Sequence, residues 1–159
     1  YLLLALFLGC LFGPLSAQAL EGKAVGVTDG DTITVLQEKN PIKVRLYGID
    51  CPEKRQAFGT RAKQFTSDLV FGKVVDVETV DVDRYKRKVG IVRLPEGTVV
   101  NQEIIRAGFA WVYATYCKKP ICQEWKTLEG EAALAKRGLW KDENPLPPWE
   151  WRREERNKR

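Results

Sequence analysis

Residues 25–47, VGVTDGDTITVLQEKNPIKVRLY, decide the fold. Their apolar residues recur with period two: Val25 and Val27, then Ile33 and Val35, then Ile42, Val44 and Leu46. Such alternation marks half-buried strands, and Asp29-Gly30 and Asn40-Pro41 supply the turn signals between them. Three antiparallel strands are therefore predicted between Gly22 and Tyr47. In the third, alternation places Lys43, Arg45 and Tyr47 on the face opposite the apolar row.

Past Pro52 the period changes. Phe58, Ala62, Phe65 and Leu69 fall three or four residues apart, a helical face that Gly72 terminates. KVVDVETV (73–80) and KVGIVRL (88–94) read as two further strands joined by the charged stretch DVDRYKRK (81–88). NQEIIRAG (101–108) reads as a short helix, and CQEWKTLEGEAALAKRG (122–138) as a longer one burying Trp125, Leu128, Ala132 and Ala135. The expected fold is mainly β with α, an α+β chain: a five-stranded OB-type Greek-key barrel with three helices. ENPLPPWEWRREERNKR (143–159) is Pro-rich and then densely charged, the composition of an extended flap and a frayed end. Trp125, Trp140, Trp149 and Trp151 are assigned to packing.

The chain opens with an apolar run, Tyr1 to Phe12, followed by Ala17-Gln18-Ala19 and a first charge at Glu21. The run is shorter than the roughly 20 residues a membrane span needs, so no stable membrane insertion is expected. Residues 1–19 read as a signal peptide short of its first residues, since no Met and no basic segment precede the apolar run. A lipoprotein anchor at Cys10 is the minor alternative; either way the destination is the periplasm or the medium. The resulting division is a signal segment at 1–19, one domain at 20–141 and a tail at 142–159.

Of 159 residues, 26 are Lys or Arg and 21 Asp or Glu, and none of these lies in residues 1–19. The net charge of +5 therefore falls entirely on the mature part and favours a polyanionic partner. There is no histidine, which excludes nucleophile–His dyads and imidazole metal sites. Carboxylate, Arg, Lys and Tyr chemistry remain, and any metal would be hard and oxygen-bound. For an exported chain the close pair Cys117 and Cys122 in CKKPIC is the plausible disulfide, leaving Cys51 unpaired.

Candidate chemistry gathers near the expected barrel mouth. Asp29 and Asp31 flank Gly30, Arg45 ends the third strand, and Asp50 and Glu53 follow in IDCPE. Two carboxylates at adjacent strand ends suit a hard divalent cation, although Asp-Gly-Asp taken alone reads first as a turn.

The segments VTDGDTITV, VRLYGIDCPE, DRYKR and VNQEIIRAGFA, in this order and spacing, resemble the staphylococcal (micrococcal) nuclease or thermonuclease family. The resemblance runs from about Val25 to Trp140. It implies Ca2+ held by Asp31, Asp50 and the backbone carbonyl of Cys51, where the staphylococcal enzyme carries Thr. It further implies Glu53 as general base or water-orienting carboxylate and Arg45 and Arg87 as phosphate clamps. Asp29 is either support for Asp31 or a turn residue. Arg84, Tyr85, Tyr113 and Tyr116 are candidate substrate contacts, Tyr113 having core packing as its alternative. The link KRQAFGTRAK after Glu53 is shorter than the family's loop. The implied activity is Ca2+-dependent, sugar-nonspecific hydrolysis of phosphodiesters in DNA and RNA by a monomer, preferring single-stranded or frayed substrate and leaving 3′-phosphate ends. The rival reading is a noncatalytic OB-type nucleic-acid-binding module of the cell envelope.

Overall fold

The computed structural model describes residues 20–158. The expected signal segment, with Cys10, lies outside the described residues. Strands β1 (Leu20–Asp29), β2 (Thr32–Gln37) and β3 (Asn40–Leu46) form the predicted antiparallel meander. After β4 (Ile49–Asp50) and helix α1 (Gly59–Val70) come β5 (Val74–Val82) and β6 (Lys88–Arg93). β6 runs parallel to β3, and β5 pairs back to β1, closing the barrel in the order β1-β2-β3-β6-β5. This is the five-stranded α+β barrel expected from the sequence. Its interior is lined by Ile33, Val35, Val44, Leu46, Val75, Val77 and Ile91, all nearly inaccessible.

α2 (Val100–Arg106), β7 (Trp111–Val112) and α3 (Ile121–Leu134) follow, then a 3-10 turn at Gly138–Lys141 and α4 (Pro148–Asn157). α1 packs on β1, α2 on α1 and β6, and α3 on α2 and β7. A disulfide joins Cys117, ahead of α3, to Cys122 in its first turn, with Cα atoms 5.7 Å apart.

Five local expectations are corrected. Val25 is exposed and Ala24 buried, because a bulge between Ala24 and Gly26 shifts the β1 register. Tyr47 turns inward rather than following the outward row of Arg45. β3 has ended by then, Gly48 reverses the chain at φ +70°, and the Tyr47 hydroxyl accepts hydrogen bonds from Lys118 N (2.7 Å) and Lys119 N (3.0 Å). Ala135, expected on the buried side of the last predicted helix, is exposed, because α3 has ended at Leu134; helix α1 begins at Gly59 and leaves Glu53 on the loop before it. The tail is not frayed but supplies a fourth helix. Pro148 occupies its first turn, where a missing N–H is tolerated, and Pro147 holds the extended conformation before it.

The two-residue strands β4 and β7 pair with each other, Asp50 opposite Trp111. This small sheet hangs beside the barrel mouth and fixes the height of Asp50. Glu129 of α3, itself buried, accepts the Val112 N–H at 2.8 Å and so anchors the β7 side.

Candidate active site

The β1–β2 turn builds the first wall of the site. Asp29 Oδ1 accepts the Asp31 backbone N–H at 3.2 Å, and Thr66 Oγ1 of α1 donates to the Gly30 carbonyl at 2.6 Å. Gly30 is required here by close approach. A Cβ at this position would lie 2.7 Å from Cys51 Cβ and 2.9 Å from Ala62 Cβ. The turn is thus pressed onto both α1 and the Asp50-Cys51 segment. Asp31, nearly buried, accepts Cys51 N–H on Oδ2 at 2.7 Å and lies beside Thr32 Oγ1 on Oδ1 at 3.3 Å. Asp29 therefore both shapes the turn and orders the Asp31 backbone.

Arg45 joins the two strand ends. Its Nη1 pairs with Asp31 Oδ1 and its Nη2 donates to Asp50 Oδ1 at 2.9 Å. Asp50 is only 1% exposed, so its charge depends on these guanidinium partners. Glu53 stands one-third exposed on the loop beyond Pro52, its backbone N–H donating to Gln56 Oε1 at 3.1 Å.

A second guanidinium comes from α4. Arg152 Nη2 donates to Asp50 Oδ2 at 2.7 Å, while Nη1 donates to Glu53 Oε1 at 2.7 Å and to Asp50 Oδ1 at 3.3 Å. Burial disfavours its charge, but the hydrogen bonds to Asp50 and Glu53 outweigh that and hold Arg152 protonated more firmly than a free guanidinium. The sequence reading missed this residue. A signal was present: Trp149 and Arg152 are three apart, and in a helix that spacing puts an aromatic and a guanidinium on one face.

The peripheral candidates are less convergent. Arg87 donates through Nε to Asp83 Oδ2 at 2.7 Å within the β5–β6 hairpin, and its guanidinium lies 5.4 Å from the Tyr85 ring centre. It makes no hydrogen bond or ion pair with Asp31, Asp50 or Glu53. Arg84 also lies against Tyr85, its guanidinium 4.8 Å from the ring centre and Nη2 donating to the Tyr85 hydroxyl at 2.8 Å. Tyr85 and Tyr116 are both mostly exposed. Tyr113 is stacked face to face on Trp149, ring centres 4.9 Å apart and planes 10° apart, and meets Tyr116 edge-on. One of its faces is thus occupied by packing.

Cys51 is free and buried, and that burial pushes its thiol well above the usual range, with the Arg45 charge acting in the opposite sense. Its Sγ therefore acts as a small apolar group under the turn. Asp31 and Asp50 offer carboxylate oxygens, the ligand type of a hard cation, and in this structure those oxygens accept from Arg45, Arg152 and the Cys51 N–H. Among the described residues no group of three or more His, Cys, Asp and Glu gathers as a ready metal cage. Asp31 and Asp50 are instead two carboxylates joined through Arg45.

Residues 43–142 match the family model described as Staphylococcal nuclease homologue. An uncharacterized endonuclease of Escherichia coli O157:H7 is 43% identical over 139 residues, covering 87% of this chain and 89% of that protein. A micrococcal nuclease of Shigella flexneri is 42% identical over 144 residues, 86% of this chain and 82% of its own length. An uncharacterized endonuclease of Haemophilus influenzae is 42% identical over 151 residues, 92% of this chain and 82% of that protein. The span matched by the family model holds Arg45, Asp50, Glu53 and Arg87 and stops before α4.

Proposed function

The chain belongs to the staphylococcal nuclease family and is a nuclease; from that premise we propose an exported, Ca2+-dependent, sugar-nonspecific enzyme that cleaves DNA and RNA to 3′-phosphate ends. The observation that carries this reading is Arg45 bridging Asp31 and Asp50, with Glu53 held to Asp50 through Arg152. Asp31, Asp50 and the Cys51 carbonyl are the groups that would hold the cation. Bound Ca2+ would supply Lewis-acid stabilisation of charge on the phosphate oxygens.

The remaining chemistry belongs to side chains of this chain. Arg45 is held in place by Asp31 and Asp50, and to clamp a phosphate it would use the N–H groups those carboxylates leave over or exchange one of them for the phosphate. Glu53, partly exposed and paired with Arg152 through one oxygen, would take a proton from the attacking water on its other oxygen. Water would then add to phosphorus as the bond to the 5′-oxygen breaks, the departing 5′-alkoxide taking a proton from solvent, so that the phosphate stays on the 3′-side. Arg87 on its hairpin approaches as the second clamp, giving up or sharing Asp83. Tyr85 and Tyr116 offer exposed rings on which a base stacks regardless of sequence, a mode open to single-stranded or frayed ends. Export is supported by the apolar segment ahead of Ala17-Gln18-Ala19 and by the Cys117–Cys122 disulfide. No helix among the described residues is long and apolar enough to cross a membrane.

The test is cleavage of single- and double-stranded DNA and RNA by the purified protein in Ca2+, Mg2+ or EDTA. Expected are cutting of all four in Ca2+, faster on single strands, loss of cutting in EDTA, and new 5′-hydroxyl ends that a kinase labels directly while the 3′ ends ligate to a 5′-phosphorylated strand only after phosphatase treatment. Binding that survives EDTA without cleavage in any cation would establish the noncatalytic alternative instead.

A further inference from the structure

The C-terminal segment is locked onto the site by three separate contacts. Gln56, whose Oε1 accepts the Glu53 N–H, donates its Nε2 to the Leu146 carbonyl. Trp149 stacks on Tyr113 and meets Trp111 edge-on at 6.4 Å, and Trp111 is the strand partner of Asp50. One turn further along α4, Arg152 closes over Asp50 and Glu53. The Glu53 carboxylate has no other hydrogen-bond or ion-pair partner among the described residues, so its orientation is set by this one guanidinium.

Arg152 has a second consequence. It shares the Asp50 carboxylate with Arg45, and both Asp50 oxygens accept from it. A cation approaching Asp50 meets a fixed positive charge in hydrogen-bond contact with its ligand, and like charges that close repel, in part screened because the Arg152 side chain is one-third exposed.

Resting on the nuclease reading above, we propose that Arg152 is a positioning residue: α4 carries it into the site to aim Glu53 beside Asp50, at the expense of cation affinity. The two effects have opposite signs, which separates this role from its rivals. A purely structural residue, when removed, weakens cation binding and turnover together. A simple plug, when removed, tightens cation binding and leaves turnover at saturating cation unchanged or higher.

The experiment compares the full chain with Arg152→Gln and Arg152→Lys. Ca2+ binding is measured calorimetrically without nucleic acid, kcat and KM are measured on single-stranded DNA at saturating Ca2+, and folding is checked by thermal melting. Arg152→Gln should bind Ca2+ about tenfold more tightly yet turn over about tenfold or more slowly, with KM changed by less than about threefold. Arg152→Lys keeps the charge but not the fork, so its Ca2+ affinity should stay near that of the parent while kcat falls to an intermediate value. Unchanged or weakened Ca2+ binding in Arg152→Gln overturns the proposal, as does tighter binding with undiminished kcat. If Arg152→Gln does not fold, parent-like kcat in Arg152→Lys overturns it. A parent chain that binds Ca2+ but cuts nothing refutes the nuclease reading, while the calorimetric comparison still reports on Arg152.

Discussion

Replacing Asn101 by leucine should cost more than its position on a short surface-bound helix suggests. Where β3 ends at Leu46, β6 continues without a strand neighbour on that side, and Asn101 of α2 takes the vacant place. Its Oδ1 accepts the Val92 N–H at 3.0 Å, and its Nδ2 donates to the Tyr47 carbonyl at 3.0 Å and to the Gly90 carbonyl at 3.4 Å. Asn101 is completely buried, so no water replaces it. The Gly90 carbonyl keeps a second donor in Tyr47 N at 2.8 Å. Leucine would therefore orphan two buried groups, the Val92 N–H and the Tyr47 carbonyl, at about 1–3 kcal/mol each. Allowing for leucine's added apolar burial, the expected loss is about 2–5 kcal/mol, read as a shift in urea midpoint at unchanged slope. Aspartate, which keeps the acceptor but turns the donor toward two carbonyls into a buried charge, should be at least as damaging. Because Tyr47 leads directly into the Gly48–Asp50 segment, activity per folded molecule should also fall. A loss below about 1 kcal/mol for Asn101→Leu would refute the reasoning, because the backbone groups would then be finding other partners.

Other substitutions probe separate parts of the account. Gly30→Ala should destabilise by about 1–3 kcal/mol, since the new methyl meets Cys51 and Ala62 within 2.9 Å, and chemical denaturation measures it. Cys51 should resist Ellman's reagent at pH 8 in the folded protein and react fully in denaturant, because burial keeps its thiol protonated and out of reach. Opening the Cys117–Cys122 loop, by a paired Ser replacement, should cost about 2 kcal/mol from restored loop entropy, seen in the urea midpoint. It should also loosen the Lys118 and Lys119 N–H groups that hold the Tyr47 hydroxyl.

The barrel was legible because its strands are long enough for period two to repeat: Ile33/Val35 and Val44/Leu46 are inward in the structure as their spacing demands. The bulge at Ala24–Gly26 was not, since an inserted residue breaks the alternation that reveals a strand. β4 and β7, two residues each, are too short to carry any period, yet their pairing sets Asp50. Asn101 stands on the same helical face as Ile104 and Ile105, so a buried polar group could be suspected there, but its partners come from residues 47 and 92. Arg152 lies 99 positions after Glu53, beyond a proline-rich segment whose composition argues for an extended chain. Only the docked Trp149 shows that the segment after Pro147 is helical and faces the site. Arg45 and Asp50, close in sequence, pair directly in the structure, Glu53 is linked to Asp50 only through Arg152, and Arg87 remains with its local partner Asp83.

The central claim is that the Asp31–Arg45–Asp50–Glu53 cluster hydrolyses phosphodiesters with Glu53 handling the proton of the attacking water. The most direct measurement is a paired one on Glu53→Gln: turnover of single-stranded DNA in Ca2+, and binding of the same strand by anisotropy with cleavage quenched. Loss of a positioned proton acceptor should lower kcat by about a hundredfold or more, with the dissociation constant for DNA within about threefold of the parent's. Parent-like turnover, or a fall in turnover matched by an equal loss of binding, would contradict the account.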